Sequence, residues 1–139
     1  MLEASFPVEM AGGVPVVVAP EEIDAGNAAG LRAALLRAAA AGNRTLVVDM
    51  SQTQFCDSAA LHVLVRAHKR AQAEGGEVRL VITAATVLRI FAITGIDHLI
   101  PNFSSLEEAL AQAPAGSGSL SLPAAVPAWH TPAADAGIP

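Results

Sequence analysis

The chain has 139 residues, a length that bounds it to one domain with room for a real core. Its net charge of −5, with 8 Lys and Arg against 13 Asp and Glu, argues against a nucleic-acid backbone as the main ligand, because that ligand demands clustered cations. The lone cysteine, Cys56, excludes an internal disulfide. Hydrophobic residues make up 53%, but 30 residues are alanines and no apolar run approaches the ~18 to 20 residues that span a bilayer, so no membrane insertion is expected. The opening MLEASFPVEM has neither a basic n-region nor an apolar h-region, and a cytoplasmic location is expected.

In chain order, Phe6 to Val8 and Val14 to Val18 are short β-prone runs around Gly12-Gly13, a hairpin or two adjacent strands that Pro20 closes. From Ala25 to Ala41 the pattern is helical, with Ala28, Leu31, Leu35, Leu36 and Ala39 on one stripe, Asp24 as N-cap and Gly42-Asn43 as stop. Thr45 to Met50 is continuously apolar except for Asp49, as expected for a strand covered on both faces of a mainly parallel sheet. Ser58 to Glu74 is helical, with Leu61, Leu64, Val65, His68 and Ala71 inward and His62, Arg66, Lys69 and Arg70 in solvent, and Gly75-Gly76 ends it.

Val78 to Ile82 is the next strand and Ala85 to Thr94 the next helix, with Val87, Leu88 and Phe91 inward and Gly95 past its end. Leu99 to Pro101 reads as a short extended piece. Ser104-Ser105 starts a last helix running to Gln112, and Ser104 with Glu107 fits a capping box. Alternating strands and helices with short links predict a single α/β domain over 1–112, with a mainly parallel sheet, βα units and about four helices. Residues 113–139 hold five of the nine prolines, no Lys or Arg and no usable period, so a disordered tail is expected, with Trp129 its one anchor candidate.

Catalytic signatures are mostly missing. No G-x-S-x-G surrounds Ser58, and neither phosphate-cradling glycine motif occurs. His62, His68, His98 and His130 lack ligand spacing, so no metal or cofactor is expected. His62 follows Ser58 by four residues, the spacing at which a general base shares its helix face; a solvated surface histidine is the simpler reading. Cys56 beside Asp57 is read as a small packed hydrophobe, because a neighbouring carboxylate raises a thiol's pKa. All five charges before residue 30 are acidic (Glu3, Glu9, Glu21, Glu22 and Asp24), either ordinary solvated surface or a patch for a basic protein partner.

The segment from Leu46 to Leu64, LVVDMSQTQFCDSAALHVL, leads an apolar strand through a polar turn to Asp57-Ser58 on the first turn of a helix. Unpaired N–H groups and the helix dipole make that a tolerant place for an anion, so Ser58 suits a phosphate. It also suits a plain capping serine, and local physics does not separate the two.

Within this stretch, VVDMSQTQFCDSAAL (Val47 to Leu61) resembles the signature of STAS domains of the bacterial anti-sigma factor antagonist class: apolar strand, Asp, short turn, aromatic, then Asp-Ser entering a helix. Glu22-Ile23-Asp24-Ala25 resembles the family's first strand-to-helix junction. Gly75-Gly76-Glu77, Arg79 to Ile82, Val87, Phe91 and Thr94-Gly95-Ile96 are similar to its C-terminal half, so the likeness runs from about Phe6 to Gln112.

The resemblance implies a non-enzymatic switch. Ser58 is the phosphorylation site, and the partner surface is Asp24, Asn27, Asp57, Ser58, Ala59, Ala60 and His62. The partner is both anti-sigma factor and serine kinase. The unphosphorylated form binds it and frees a sigma factor, phosphorylation ends binding, and a metal-dependent serine phosphatase resets the switch. Ala59 stands where a second Ser or Thr is common, Ala60 replaces a frequent glycine, and Pro20 stands where many members have glycine. Two other readings stay open: a STAS subunit docking on a membrane transporter or its ATPase, and a small enzyme or binding domain using Ser58 and His62.

Overall fold

The computed structural model describes residues 6–41 and 44–111. The expected stop at Gly42-Asn43 and the tail with Trp129 and His130 lie outside them. A five-stranded sheet runs in the order β1 (Val8–Ala11), β2 (Val14–Val18), β4 (Thr45–Met50), β6 (Glu77–Ile82), β7 (Asn102–Phe103). Only β1 is antiparallel to its neighbour. The hairpin forms because Gly12 and Gly13 both take positive φ (60° and 83°), the requirement of a two-residue loop whose twist matches the strands. The first strand begins later than expected, at Val8, while Phe6 is buried ahead of it.

One face of the sheet carries α1 (Ala28–Ala40), α2 (Ser58–Ala73) and α3 (Ala85–Thr94). Val17, Val48, Leu80 and Ile82 pack there against Leu31, Leu35, Leu64, Val87 and Phe91. The other face, Val16, Val47 and Val81, is covered by α5 (Leu106–Ala111) through Ala109, Leu106 and Leu110. Central strand β4 is therefore apolar on both sides, as its continuous run predicts. Arg79 is buried on the α5 face. Its Nε donates to Glu77 at 2.6 Å and its guanidinium to the Ala109 carbonyl at 2.8 Å, tying down one of the helix's unpaired C-terminal carbonyls.

Several boundaries differ from expectation, each for a local reason. Helix α1 starts at Ala28, not Ala25, because residues 25–27 form a separate turn. Its buried face is Ala28, Leu31, Ala34, Leu35 and Ala38, which leaves Leu36 and Ala39 only half-buried on the flank toward α2. Val65 on α2 is likewise only partly buried. Leu88 is 41% exposed, since Val87 and Phe91 already take the sheet-facing positions of α3. A one-turn helix, α4 (Ile96–Leu99), too short to show a period, precedes β7 where an extended piece at Leu99 to Pro101 is predicted. The capping box lies one residue later: Ser105 Oγ accepts from Glu108 N–H at 3.1 Å, and Glu108 accepts in return from Ser104. With α4 the domain has five helices among the described residues, none long and apolar enough to cross a membrane.

Candidate functional site

Two chain segments converge at the start of α2. Beyond β2 and β4, the chain continues into β3 (Glu22–Ile23) and β5 (Phe55–Cys56), which pair in parallel as a small second sheet. Buried Thr53 anchors the second segment to the first, donating its hydroxyl to the Pro20 carbonyl at 2.8 Å. The pairing continues as Asp57 N–H donates to the Ile23 carbonyl at 3.1 Å. Residues 24–27 and 57–60, more than thirty positions apart in sequence, are thus held side by side.

The carboxylate of Asp57 fastens them. Oδ1 accepts from the backbone N–H groups of Ala59 (3.0 Å) and Ala60 (3.3 Å), the geometry of an N-cap. Oδ2 accepts from Ala25 N–H at 3.1 Å, which links the cap of α2 to the turn ahead of α1. That turn is closed by its own reciprocal pair. Asp24 Oδ1 accepts from Gly26 N–H at 2.9 Å, and Asn27 Oδ1 accepts from Asp24 N–H at 2.9 Å while Nδ2 donates to the Glu22 carbonyl. Asp24 therefore caps the 24–27 turn rather than α1 itself, whose N-cap position is taken by Asn27 without a side-chain capping bond. The Asp24-Asn27 spacing of three satisfies a single turn by itself, which takes Asp24 away from α1.

Ser58 follows Asp57 as the first residue of α2 and is exposed. With Asp57 as the cap, the Ser58 hydroxyl makes no hydrogen bond among the described residues, and the capping-serine alternative does not apply to it. Two of the helix-start donors are not waiting for an anion, however, because the N–H groups of Ala59 and Ala60 already serve Asp57. Of the remaining anticipated residues, Ala59 is half-buried, Ala60 is buried, and His62 is exposed one turn along with no hydrogen bond to Ser58. Glu21 and Glu22 are exposed on the adjoining segment, so the surface around Ser58 is acidic.

Cys56 is buried, and burial together with the nearby Asp57 charge pushes its thiol up to about 11, a protonated packing residue rather than a nucleophile. No group of three His, Cys, Asp or Glu among the described residues is arranged to hold a metal ion. Two members of the constellation, Phe55 and Ala25, lie outside the anticipated partner surface, although Phe55 is the aromatic of the signature. Phe55 is 47% exposed beside Asp57, and strand alternation could have found it: with Cys56 inward, its neighbour must face out. Ala25 contributes only a backbone N–H, for which no side-chain signal exists.

The profile of the STAS domain family matches residues 5–109. No curated protein matches the chain significantly. Among solved structures, an anti-sigma factor antagonist from Mycobacterium paratuberculosis is 29% identical, with a TM-score of 0.70 over 76% of this chain and 90% of that one. An anti-sigma-factor antagonist (STAS) domain protein from Planctomyces limnophilus is 22% identical, with a TM-score of 0.70 over 77% of this chain and 96% of that one. The Bacillus cell fate determinant SpoIIAA in its phosphorylated form is 21% identical, with a TM-score of 0.60 over 76% and 96%. The profile covers most of the chain, including the paired segments and the helix start that present Asp57 and Ser58, and the chain belongs to the STAS domain family.

Proposed function

We propose that this protein is an anti-sigma factor antagonist switched by phosphorylation of Ser58. One observation carries the reading: Asp57 performs the capping that a serine at a helix start ordinarily performs, which leaves the Ser58 hydroxyl exposed and without a partner. The unphosphorylated form binds an anti-sigma factor that is also its serine kinase, through Asp24, Asn27, Asp57, Ser58, Ala59, Ala60 and His62, with exposed Phe55 as an aromatic anchor. Phosphorylation ends binding, and a metal-dependent serine phosphatase reverses it. The protein acts in the cytoplasm, with no cofactor and no catalysis of its own. The structurally similar SpoIIAA, solved in phosphorylated and unphosphorylated forms, supports phosphorylation as the switch here.

The physics of release is local. A phosphate adds about −1.5 to −2 charges beside Asp57 and Asp24. Because Asp57 occupies the N–H groups of Ala59 and Ala60, those donors are not free to neutralise that charge, which projects toward the partner. Like-charge juxtaposition at an interface costs several kcal/mol, and roughly 4 kcal/mol weakens binding ~1,000-fold. The test compares Ser58→Ala and Ser58→Asp against the cognate anti-sigma kinase, with intact mass after incubation with ATP. Ser58→Ala is expected to bind without accepting phosphate, and Ser58→Asp to bind at least ~10-fold more weakly. Equal affinities, with phosphate found on another residue, would sink the mechanism and leave the fold untouched.

A further inference from the structure

A groove of about 670 Å³ runs between α1 and α2 on their solvent side, beginning at Ala59 and His62 beside the Ser58 site. Its volume is that of a binding cleft rather than a packing defect. Small residues on both helices open it, and its depth is apolar: Leu35 and Leu46 are buried at the bottom, with Leu36 and Val63 half-buried along the walls. The α1 flank that sequence periodicity assigns to the core is here one of these walls.

The rim is cationic. Arg32, Arg44, Arg66 and Arg70 line the groove, half of the eight Lys and Arg in a chain whose net charge is −5. Glu74 is the single carboxylate that lines it. None of the four arginines is in an ion pair among the described residues, whose salt bridges are Arg79 with Glu77 and His98 with Asp97. Arg66 and Arg70, one turn apart on α2, repel each other by a few tenths of a kcal/mol, and neither forms an ion pair among the described residues. The acidic surface around Ser58 and this cationic groove therefore meet at the start of α2 as two separate faces.

The distribution of the cations selects the occupant. The lining residues of α2 from Ala59 to Glu74 recur at intervals of three and four, so the groove follows that helix for ~22 Å. The arginines are spread along this length and over both rims, whereas a ligand with one anionic head needs them at one end. A polyanion with an apolar stripe and a repeat near 5.4 Å fits, which describes an amphipathic helix with carboxylates flanking its apolar face. Guanidinium groups grip such carboxylates bidentately. We propose that the α1–α2 groove is a second docking surface, which takes an acidic amphipathic helix of a partner protein.

The probe is a fluorescent synthetic helix of about 18 residues, with a Leu and Ala stripe flanked by Glu, titrated against the isotopically labelled full chain. A matched peptide with every Glu replaced by Gln and sodium palmitate are the comparisons. The expected result is saturable binding of the Glu peptide, with NMR shift changes at Arg32, Leu36, Val63, Arg66 and Arg70. Affinity should fall at least ~10-fold for the Gln peptide, for the double variant Arg66→Ala with Arg70→Ala, and for Arg32→Ala on the opposite rim. Circular dichroism confirms that these exposed-site variants keep the wild-type fold. Equal binding of both peptides, no saturation, shifts away from the groove, or palmitate filling the groove while neither peptide binds would each overturn the proposal.

Discussion

Replacing Asp57 tests the claim that one carboxylate joins the two segments of the site. Asp57→Ala removes the cap bonds to Ala59 (3.0 Å) and Ala60 (3.3 Å) together with the 3.1 Å link to Ala25. Loss of an N-cap costs ~1 kcal/mol, within a range of about 0.5 to 2. The Ala25 N–H is exposed and water replaces its lost acceptor, so that bond contributes near the lower end, about 0.5 kcal/mol. The sum, ~1.5 kcal/mol, corresponds to a fall in Tm of roughly 6 to 12 °C for a domain of this size. Asp57→Asn separates the parts. Its carbonyl oxygen keeps the cap, because Asn caps as well as Asp, but its amide group then faces Ala25 N–H, donor against donor, and only the ~0.5 to 1 kcal/mol link is lost. Urea unfolding followed by circular dichroism measures both. A cost for Asp57→Ala below about 0.3 kcal/mol, or an Asn variant as unstable as the Ala variant, refutes the reasoning.

Gly76→Ala is expected to cost at least ~2 kcal/mol in the same assay, because a Cβ there would sit 1.8 Å from the Arg44 carbonyl oxygen, which accepts the Glu77 N–H at the start of the β4–β6 ladder. Gly75→Ala, with positive φ but only ordinary contact with the Arg44 side chain at 3.6 Å, should cost only ~1 kcal/mol, and the reverse order would contradict the close approach. Buried His68 accepts the Val78 N–H on Nδ1 at 3.1 Å, and burial lowers its pKa from 6.5 against smaller opposing effects of Glu77 and the Leu99 backbone. The unfolded chain therefore binds a proton that the folded chain refuses. Stability is full above about 6.5 and declines as pH falls below it toward the depressed folded pKa, by at most ~1.4 kcal/mol per pH unit. His68→Asn keeps an acceptor for Val78 without a titrating ring, and should abolish that component between about pH 7 and 5 in urea titrations. Truncation after Gln112 is expected to leave Tm within about 5 °C, since the family match ends at 109; a larger fall would show that residues 113–139 pack on the core.

The paired motif at Asp57-Ser58, the buried strand β4 and the extents of α2 and α3 were legible in the sequence because each rests on short-range chemistry. Apolar periodicity, turn glycines and the Asp-Ser helix start are all written within a few residues of where they act. Elements of one turn or two residues, α4, β3 and β5, have no period to read, and β3 and β5 form because each supplies the other's hydrogen bonds. The division of labour between Asp57 and Ser58 also lay beyond local reading, since either side chain satisfies a helix start and only the placement of Ala25 and the two alanine N–H groups gives the task to Asp57. The α1–α2 groove depended on tertiary structure in the same way. Leu36 and Ala39 fit the helical stripe as core residues, but the packing angle of α1 buries Ala34 and Ala38 instead and turns that flank toward four arginines drawn from three separate stretches of the chain. A sequence specifies which side chains are apolar or charged along a helix; which flank meets solvent is decided by how that helix sits on the sheet.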